Sequence, residues 1–585
     1  MLKPSFVFAV LIFLMILLFF TNLPDLKTCR LPQRKPAGFR AEWGLLAVTL
    51  VYTAAAFWHL GNTQSPQTFV PMSGQSAVFS FPEPSKPATV VLFPGVGEGS
   101  YSIEVSDDTE GWYPVKTFTQ DHGSVFKWQL VTLGLTDSRY FMRIHCTSGT
   151  PWLGEVLLLD IYNQTVPGIC SFPALTDEAD TVPPFMDSMN SSIFDEVYHV
   201  RTAWEHLNGI WPYEVSHPPL GKLLISLGIL LFGMTPFGWR FCGTVTGILM
   251  LPAMYAFLRR LFGGSRIPLL GTVLLATGFM HYTQTRIATL DSFAVLFILL
   301  MYYFMLGWRQ TGRKLDLLLC GICFGLGAAT KWICIYAVMG LLFLWFGHWI
   351  GVFRDPEARS RAAVRAFLGH CCFCVLCFIL VPVLIYYLSY IPYGLAQGKA
   401  PFSAGYTRLV LDNQSFMLSY HSNVRASHPY ASRWWTWILD VRPILYFNQH
   451  YTDGGRETIA CFVNPVIAWA GLVSLLVLLY CALWRHDGRA AFLLVCWAAG
   501  LVPWFFIVRP TFIYHYFASA LFLIPAICYV FALMEDGTPY GRFFTGCFTV
   551  LAVVLFLWFF PVLSGLRINH VIGTKLHGWL PSWPI

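Results

Sequence analysis

The sequence predicts a multi-pass α-helical membrane protein of about 12 spans, with a small extracytoplasmic β-sandwich domain inserted near the N-terminus. Three observations carry that expectation. Of the 585 residues, 56% are hydrophobic and only 12% are charged, against roughly 25% charged in soluble domains. Apolar runs of about 20 residues, each long enough to cross a hydrocarbon core, recur along most of the chain. One polar stretch, 61–164, interrupts them with strand-like alternation.

The elements follow in order. The run Lys3–Phe20 lacks a small-residue cleavage pattern before Thr21, and a second apolar run, Ala41–Leu60, follows, so two spans are expected rather than a signal peptide. Between them Lys27, Arg30, Arg34, Lys35 and Arg40 form a basic loop that the positive-inside rule places in the cytoplasm. Residue 61 then emerges on the outer face. Ala77–Phe81, Thr89–Phe93, Tyr101–Val105, Phe126–Leu130, Tyr140–Ile144 and Val156–Asp160 read as strands separated by Gly, Pro and Asp. Further spans are expected at 237–258, 267–285, 288–308, 315–332, 334–352, 366–391, 461–484, 490–507, 512–533 and 543–563. Alternating sides from the first basic loop puts Arg259/Arg260, Arg309/Arg313/Lys314, Arg354/Arg359/Arg361/Arg365 and Arg485/Arg489 all inside. The resulting segments are 1–60 (two spans), 61–165 (sandwich), 166–236 (first outer catalytic loop), 237–391 (transmembrane core), 392–460 (second outer loop) and 461–585 (four-span-like region and outer tail).

Composition excludes several classes. The net charge is +7, but the basic residues are dispersed and form no aromatic-interleaved stripe, which argues against a nucleic-acid partner. Most of the 16 cysteines lie in apolar runs, among them Cys371, Cys372, Cys374 and Cys377, without paired metal spacing. Cys146 and Cys170 in the polar segment either pair, if that segment faces an oxidising compartment, or stay as two free thiols. No GxxxxGK[ST] loop is present to bind a nucleotide.

The residues that carry chemistry lie in the outer segments. Phe194-Asp195-Glu196-Val197-Tyr198-His199 places two carboxylates side by side. On a helix they point about 100° apart, so they divide labour between a base and an orienting partner, unless they only favour a helix N-terminus. His199, one turn after Asp195, allows a carboxylate–imidazole metal pair, but no third or fourth ligand is evident, so no metal or other cofactor is required. In His217-Pro218-Pro219-Leu220-Gly221-Lys222 the prolines suit a helix start that aims amides and Lys222 at an anion, or else punctuate entry into the membrane. Arg240, Arg286, Lys331, Arg425, Arg433, Arg442 and Arg509 add positive charge at membrane depth or its outer rim. Asp291, at the head of an apolar span, needs a partner or a polar cavity, and is read with Arg286 as lining a pocket or forming a structural ion pair. The stretch from His428 to Trp437, with Tyr430, Arg433 and Trp434, suits an interfacial belt or a platform for a sugar ring and a lipid phosphate. Arg509 with His515 adds a polar-aromatic cluster. Together these residues describe an outward-facing, anion-binding cavity.

At these residues the sequence resembles the protein O-mannosyltransferase family, polyprenyl-phosphate-sugar-dependent membrane glycosyltransferases of the GT-C type. FDEV, HPPLGK, RIATLD, ATKW, HPYASRWWTW, NPVIAW and FIYHYF have family counterparts in the same order, from Asp195 to the C-terminus. The resemblance implies that Asp195 is the catalytic base and Glu196 its neighbour in the acceptor and donor site. It makes Lys222, Arg286, Lys331 and Arg433 candidate contacts to the donor phosphate. The partners implied are a polyprenyl-phosphate sugar, a hydroxyl acceptor on protein or glycan, membrane lipid, and a second subunit in a homo- or heterodimer, with the active site outside the plasma membrane. The chain departs from eukaryotic members in lacking a later β-trefoil insert and in carrying the sandwich instead, and Tyr198-His199-Val200-Arg201 after FDEV differs from their continuation, so it resembles a bacterial branch. YSIEVSDDTEGWYPV and RYFMRIHCTSGTPWLGEVLLLD resemble discoidin-type sandwiches, as a sugar-binding module or as a lid or docking module. The rivals are an aminoarabinose-type lipid A transferase of the same GT-C type, a lipid or polysaccharide transporter, for which no inverted repeat is detected, and a sugar-binding receptor.

Overall fold

A computed structural model describes residues 4–21, 23–26, 42–357, 360–425 and 427–585. Lys27, Arg30, Arg34, Lys35, Arg40 and Arg359 lie outside the described residues. The chain divides into a helical unit (Met1–Trp58, Val215–Lys222, Gly243–Ile585) and a β-rich unit (His59–Glu214, Leu223–Cys242).

In the β-rich unit, nine strands form two antiparallel sheets: β1 (Val70–Pro71), β2 (Ser76–Ser85), β3 (Thr89–Pro94), β4 (Gly99–Ser106), β5 (Tyr113–Gln120), β6 (Gln129–Thr132), β7 (Arg139–Gly149), β8 (Trp152–Leu159) and β9 (Ile169–Cys170). The strand orders are β1-β8-β3-β6 and β5-β4-β7-β2-β9. Period-two alternation sets the inner face. In the larger sheet Ile144 stands opposite Ile103 and Ala77, and Met142 opposite Val105 and Phe79. In the smaller sheet Val90 faces Leu158 and Val131, and Leu92 faces Val156. All eleven side chains join one buried core. Each large one contributes about 1.5–3 kcal/mol by leaving water. Strand boundaries shift from the sequence reading, and β1, β5 and β9 are added to it. Phe126 has a left-handed backbone (φ 54°), so the strand begins only at Gln129. Strand β5 escapes the pattern because it is a sheet edge and largely exposed. Cys146 and Cys170 are both buried free thiols.

Seven helices among the described residues are long and apolar enough to cross a bilayer: Pro236–Phe262, Asp291–Thr311, Ile333–Arg354, Arg361–Ala396, Pro465–Trp484, Gly488–Phe506 and Gly541–Ser564. A pair bent by 40°, Ile513–Ala520 with Leu523–Gly537, makes an eighth. Burial sorts them: 72% of the apolar window in Asp291–Thr311 is covered, against 11% in Arg361–Ala396. The first is a core helix; the second is peripheral and carries a π-helical turn at Leu376–Leu380, just before Pro382. The stretch 267–285 is two helices, Arg266–Ala276 and Phe279–Gln284. Asn464 of NPVIAW satisfies that break: its Nδ2 donates to the carbonyls of Thr277 and Ala552, while its Oδ1 caps Pro465–Trp484 at Val466. The segment 392–460 is also structured, with helices Ile391–Ala396, Ala404–Asn423 and Trp434–Ile438. A hairpin of β10 (Ile444–His450) and β11 (Gly455–Cys461) follows, and β11 pairs with β12 (Ile568–Asn569).

Two substitutions test this packing. Ile144→Ala is expected to destabilise the β-rich unit by about 2–5 kcal/mol, read as earlier proteolysis of that unit in a denaturant series. Asn464→Leu leaves two buried carbonyls without that donor and is expected to lower the thermal midpoint of the purified protein by an amount equivalent to about 1–3 kcal/mol.

Candidate functional site

In the β-rich unit the site is built around the head of the helix Glu196–Leu207. Asp195 occupies its N-cap position, yet its carboxylate makes no capping bond, so simple helix capping does not account for it. The preceding Phe194 has φ 48°, a left-handed conformation that costs a bulky residue of the order of 1–3 kcal/mol and persists only where surrounding contacts impose it. Those contacts come from Glu196 and Arg240. Glu196 is fully buried, and its carboxylate receives the Arg240 Nε and Nη2 at 2.7 and 2.8 Å and the Ile193 amide at 2.9 Å. The other Arg240 donors reach the carbonyls of Leu60, Ser188 and Ser191 at 2.8–3.0 Å. All five guanidinium N–H groups are thus engaged, and Glu196 orients the turn that presents Asp195.

The same helix continues as an aromatic and charged face. Tyr198 lies parallel to Tyr213 with centroids 6.4 Å apart, and to His122 at 5.9 Å. Arg201 sits over Tyr213 and donates to Glu205 at 2.9 Å. His199, the metal-pair candidate, has Glu214 at 4.0 Å.

In the helical unit, five sequence motifs converge. Gly221 of HPPLGK has no room for a side chain: a Cβ there would lie 2.7 Å from Leu290 of RIATLD and 2.9 Å from Thr330 of ATKW. The helix Leu220–Phe232 starts directly after the two prolines. Lys222, fully buried, donates from Nζ to the His217 carbonyl at 2.9 Å and to the Tyr393 hydroxyl at 3.1 Å. Lys331 donates to both Asp291 oxygens at 2.8 Å and lies 5.6 Å from the Tyr514 ring of FIYHYF. HPYASRWWTW is stitched to the same region: the Ser432 amide donates to Thr511 O, and the Thr511 hydroxyl to Ser432 O. Trp437 stacks on His515 at 6.1 Å, and His428 meets Phe512 edge-on at 4.9 Å.

Several expectations need correction or refinement. Asp291 pairs with Lys331 rather than lining the site with Arg286. Arg286 instead donates to the carbonyls of Ala56 and Trp58 at 3.0 and 2.7 Å and packs over Tyr282, gripping the end of the helix Trp43–Phe57. Two of its donors thus hold backbone carbonyls. His515 hydrogen-bonds through Nδ1 to its own turn at Phe512. The Tyr430 amide donates to His428 Nδ1, and Trp434 stacks on Phe505 at 3.7 Å. Among the described residues, Arg433 and Arg509 form no ion pair. Arg433 packs on Trp435 at 5.2 Å, and Arg509 is half-buried.

The sequence reading missed His421, whose ring meets His217 at 5.3 Å and whose Nε2 bonds the Ser216 carbonyl at 2.8 Å. It lies in the helix Ala404–Asn423, within a segment read only as loop, so no periodicity pointed to it. Burial, then the charges of His217, Arg509 and Lys331, push its imidazole down to about 4. Those three groups are therefore close enough to share one field. Tyr393 and Arg240 acquire their importance only through partners far away in sequence.

The class that emerges is a multi-pass helical GT-C membrane fold with a β-rich N-terminal region. The solved Saccharomyces cerevisiae protein O-mannosyltransferase Pmt1–Pmt2 complex bound to the sugar donor matches it with a TM-score of 0.59, at 14% identity, over 67% of this chain and 89% of that one. Residues 216–386 match the family model described as dolichyl-phosphate-mannose-protein mannosyltransferase, and residues 407–583 the model of the C-terminal four-transmembrane region of protein O-mannosyltransferase. Polyprenol-phosphate-mannose–protein mannosyltransferases of Mycobacterium tuberculosis and Mycolicibacterium smegmatis are 27% and 29% identical, each over 67% of this chain and 86% and 87% of their own length. This chain belongs to the protein O-mannosyltransferase family.

Arg240→Met strands the buried Glu196 carboxylate and is expected to cost about 3–5 kcal/mol of stability, whereas the double change with Glu196→Met recovers most of that loss, as thermal unfolding of the two proteins will measure. His421 is neutral in the folded state and takes up a proton near pH 6.5 when unfolded. Stability is therefore expected to fall as pH drops from about 6.5 towards about 4. His421→Gln should flatten that limb of a midpoint-against-pH curve.

Proposed function

We propose that this protein transfers mannose from a polyprenyl-phosphate mannose to a hydroxyl of an acceptor protein, on the extracytoplasmic face of the membrane and with inversion at the anomeric carbon. Asp195 takes the acceptor proton as the hydroxyl oxygen attacks the anomeric carbon. The bond from that carbon to the phosphate oxygen breaks, and polyprenyl phosphate departs as an anion whose charge the cations offset. A β-linked donor then gives an α-linked product. The observation that carries this reading is the place of Asp195, at the head of the helix Glu196–Leu207 on a strained turn held by the Glu196–Arg240 pair. Glu196 is accordingly a positioning residue, and the chemistry needs no metal or cofactor.

Arg509 and Arg433, cations without a carboxylate partner among the described residues, are the proposed phosphate contacts, with Lys331 and Lys222 lending charge from beside them in the motif sequence. Trp434, Tyr430, His428, His515 and His217 supply the ring surfaces and hydrogen-bonding groups of the donor site. The proposed topology keeps the roughly twelve spans read from the sequence, in which 3–20, 41–60, 267–285 and 315–332 join the longer helices. It places the β-rich region outside the plasma membrane as an inserted sandwich domain, and the arginines 259, 260, 485 and 489 inside. The proposal includes assembly as a homo- or heterodimer.

The test is glycosyl transfer from polyprenyl-phosphate mannose to acceptor polypeptides, followed by mass. Asp195→Asn, well expressed, is expected to lower turnover by about 10²–10⁴-fold; near-normal turnover would remove the base. Arg509→Ala is expected to raise the KM for donor more than it lowers kcat. Transfer of aminoarabinose to lipid A, or transport without transfer, would replace this reading by a rival.

A further inference from the structure

Outside the residues assigned to transfer, the β-rich unit holds an unusual group of acids. Glu155 on β8 is fully buried, in a strand otherwise filled with core side chains. Its Oε2 accepts the Glu178 amide at 3.0 Å, but its Oε1, also out of contact with solvent, has no hydrogen-bond partner. Buried carboxylate oxygens are nearly always bonded, and one left open signals a missing ligand or proton. One oxygen each from Glu155, Asp177 and Glu178 lie within 4.8 Å of one another.

We propose that Glu155, Asp177 and Glu178 bind a calcium ion. The donor set is carboxylate oxygen alone, which selects hard cations over zinc or copper. The three oxygens lie within 4.8 Å of one another, close enough for one cation with bonds of about 2.3–2.6 Å to reach all of them, and three carboxylates exceed the one or two by which Mg²⁺ is usually held. The site is pre-organised. Glu178 receives the amides of Gln67 and Thr68 at 2.9–3.1 Å, and the loop carrying Asp177 and Glu178 is pinned by Leu175, which is fully buried in the sandwich core. Those amides leave lone pairs on both Glu178 oxygens. Asp177 is exposed, so an ion has a route from solvent and water is available to complete its shell. Bound calcium would tie β8, the segment at Gln67–Thr68 and the Asp177–Glu178 loop together.

The test uses the full-length purified protein, stripped with EDTA and then titrated with CaCl2 by calorimetry, with MgCl2 in a parallel arm. The expected result is one saturable calcium event per chain with a dissociation constant of about 0.1–1 mM. Thermal unfolding should move upward when calcium is restored. Glu155→Gln should abolish the event, and Asp177→Asn, a change at an exposed position that leaves folding intact, should weaken it at least tenfold. Absence of calcium binding in the unaltered protein, equal affinity in both variants, or magnesium binding as tightly as calcium would overturn the assignment. So would a Glu155→Gln protein that gains stability without any response to calcium in the parent, since Glu155 would then simply hold a proton.

Discussion

The arrangement at the head of the helix Glu196–Leu207 depends on one buried ion pair. Arg240 reaches Glu196 with two of its donors and three backbone carbonyls with the rest. In a low-dielectric interior such a pair survives only when every donor and acceptor is met, and here each guanidinium N–H is. The carbonyls it collects, from Leu60, Ser188 and Ser191, belong to chain segments with no regular structure of their own. The pair therefore does for irregular backbone what a ladder does for strands. The left-handed Phe194 is tolerated for that reason, and Asp195 follows it at the head of the helix.

A different economy governs the helical unit. There the cations divide into those already committed and those that are not. Arg286 grips backbone, Lys222 a carbonyl and a hydroxyl, and Lys331 a carboxylate. Arg433 and Arg509 carry no carboxylate partner among the described residues. The cations singled out in sequence thus differ in their surroundings: three are bonded to backbone, hydroxyl or carboxylate groups, while Arg433 and Arg509 form no ion pair among the described residues. His421, neutral beside His217, Arg509 and Lys331, keeps the local field from becoming more positive still.

Much of this was legible in the residues. Long apolar runs announced the helices, alternation announced most strands, and seven short motifs in a fixed order announced the family. What stayed hidden has a common cause: partners distant in sequence. Nothing local distinguishes Lys331 from Arg286 as the partner of Asp291, since the nearer cation in sequence turns away to Ala56 and Trp58. Asn464 sits in a family motif and looks like part of the site, but its contacts are those of a buried bracket. Strand β5 offers too little buried surface to stand out, and Tyr393 and His421 lie in a segment whose helices have mixed polarity. Periodicity reports which face is buried; it does not report which neighbour covers it.

The bracket at Asn464 has a dynamic corollary. Interrupted helices inside a bilayer are ordinarily places where a protein can flex, because the freed carbonyls exchange between protein and water. At Thr277 that freedom is withdrawn: the same amide that satisfies the break also holds a carbonyl of Gly541–Ser564, and its own residue opens Pro465–Trp484. Three stretches of backbone are joined at one side chain. Any rocking of the catalytic scaffold during a turnover must therefore carry these three as a single rigid block, and leave flexion to other joints such as the 40° bend between Ile513–Ala520 and Leu523–Gly537.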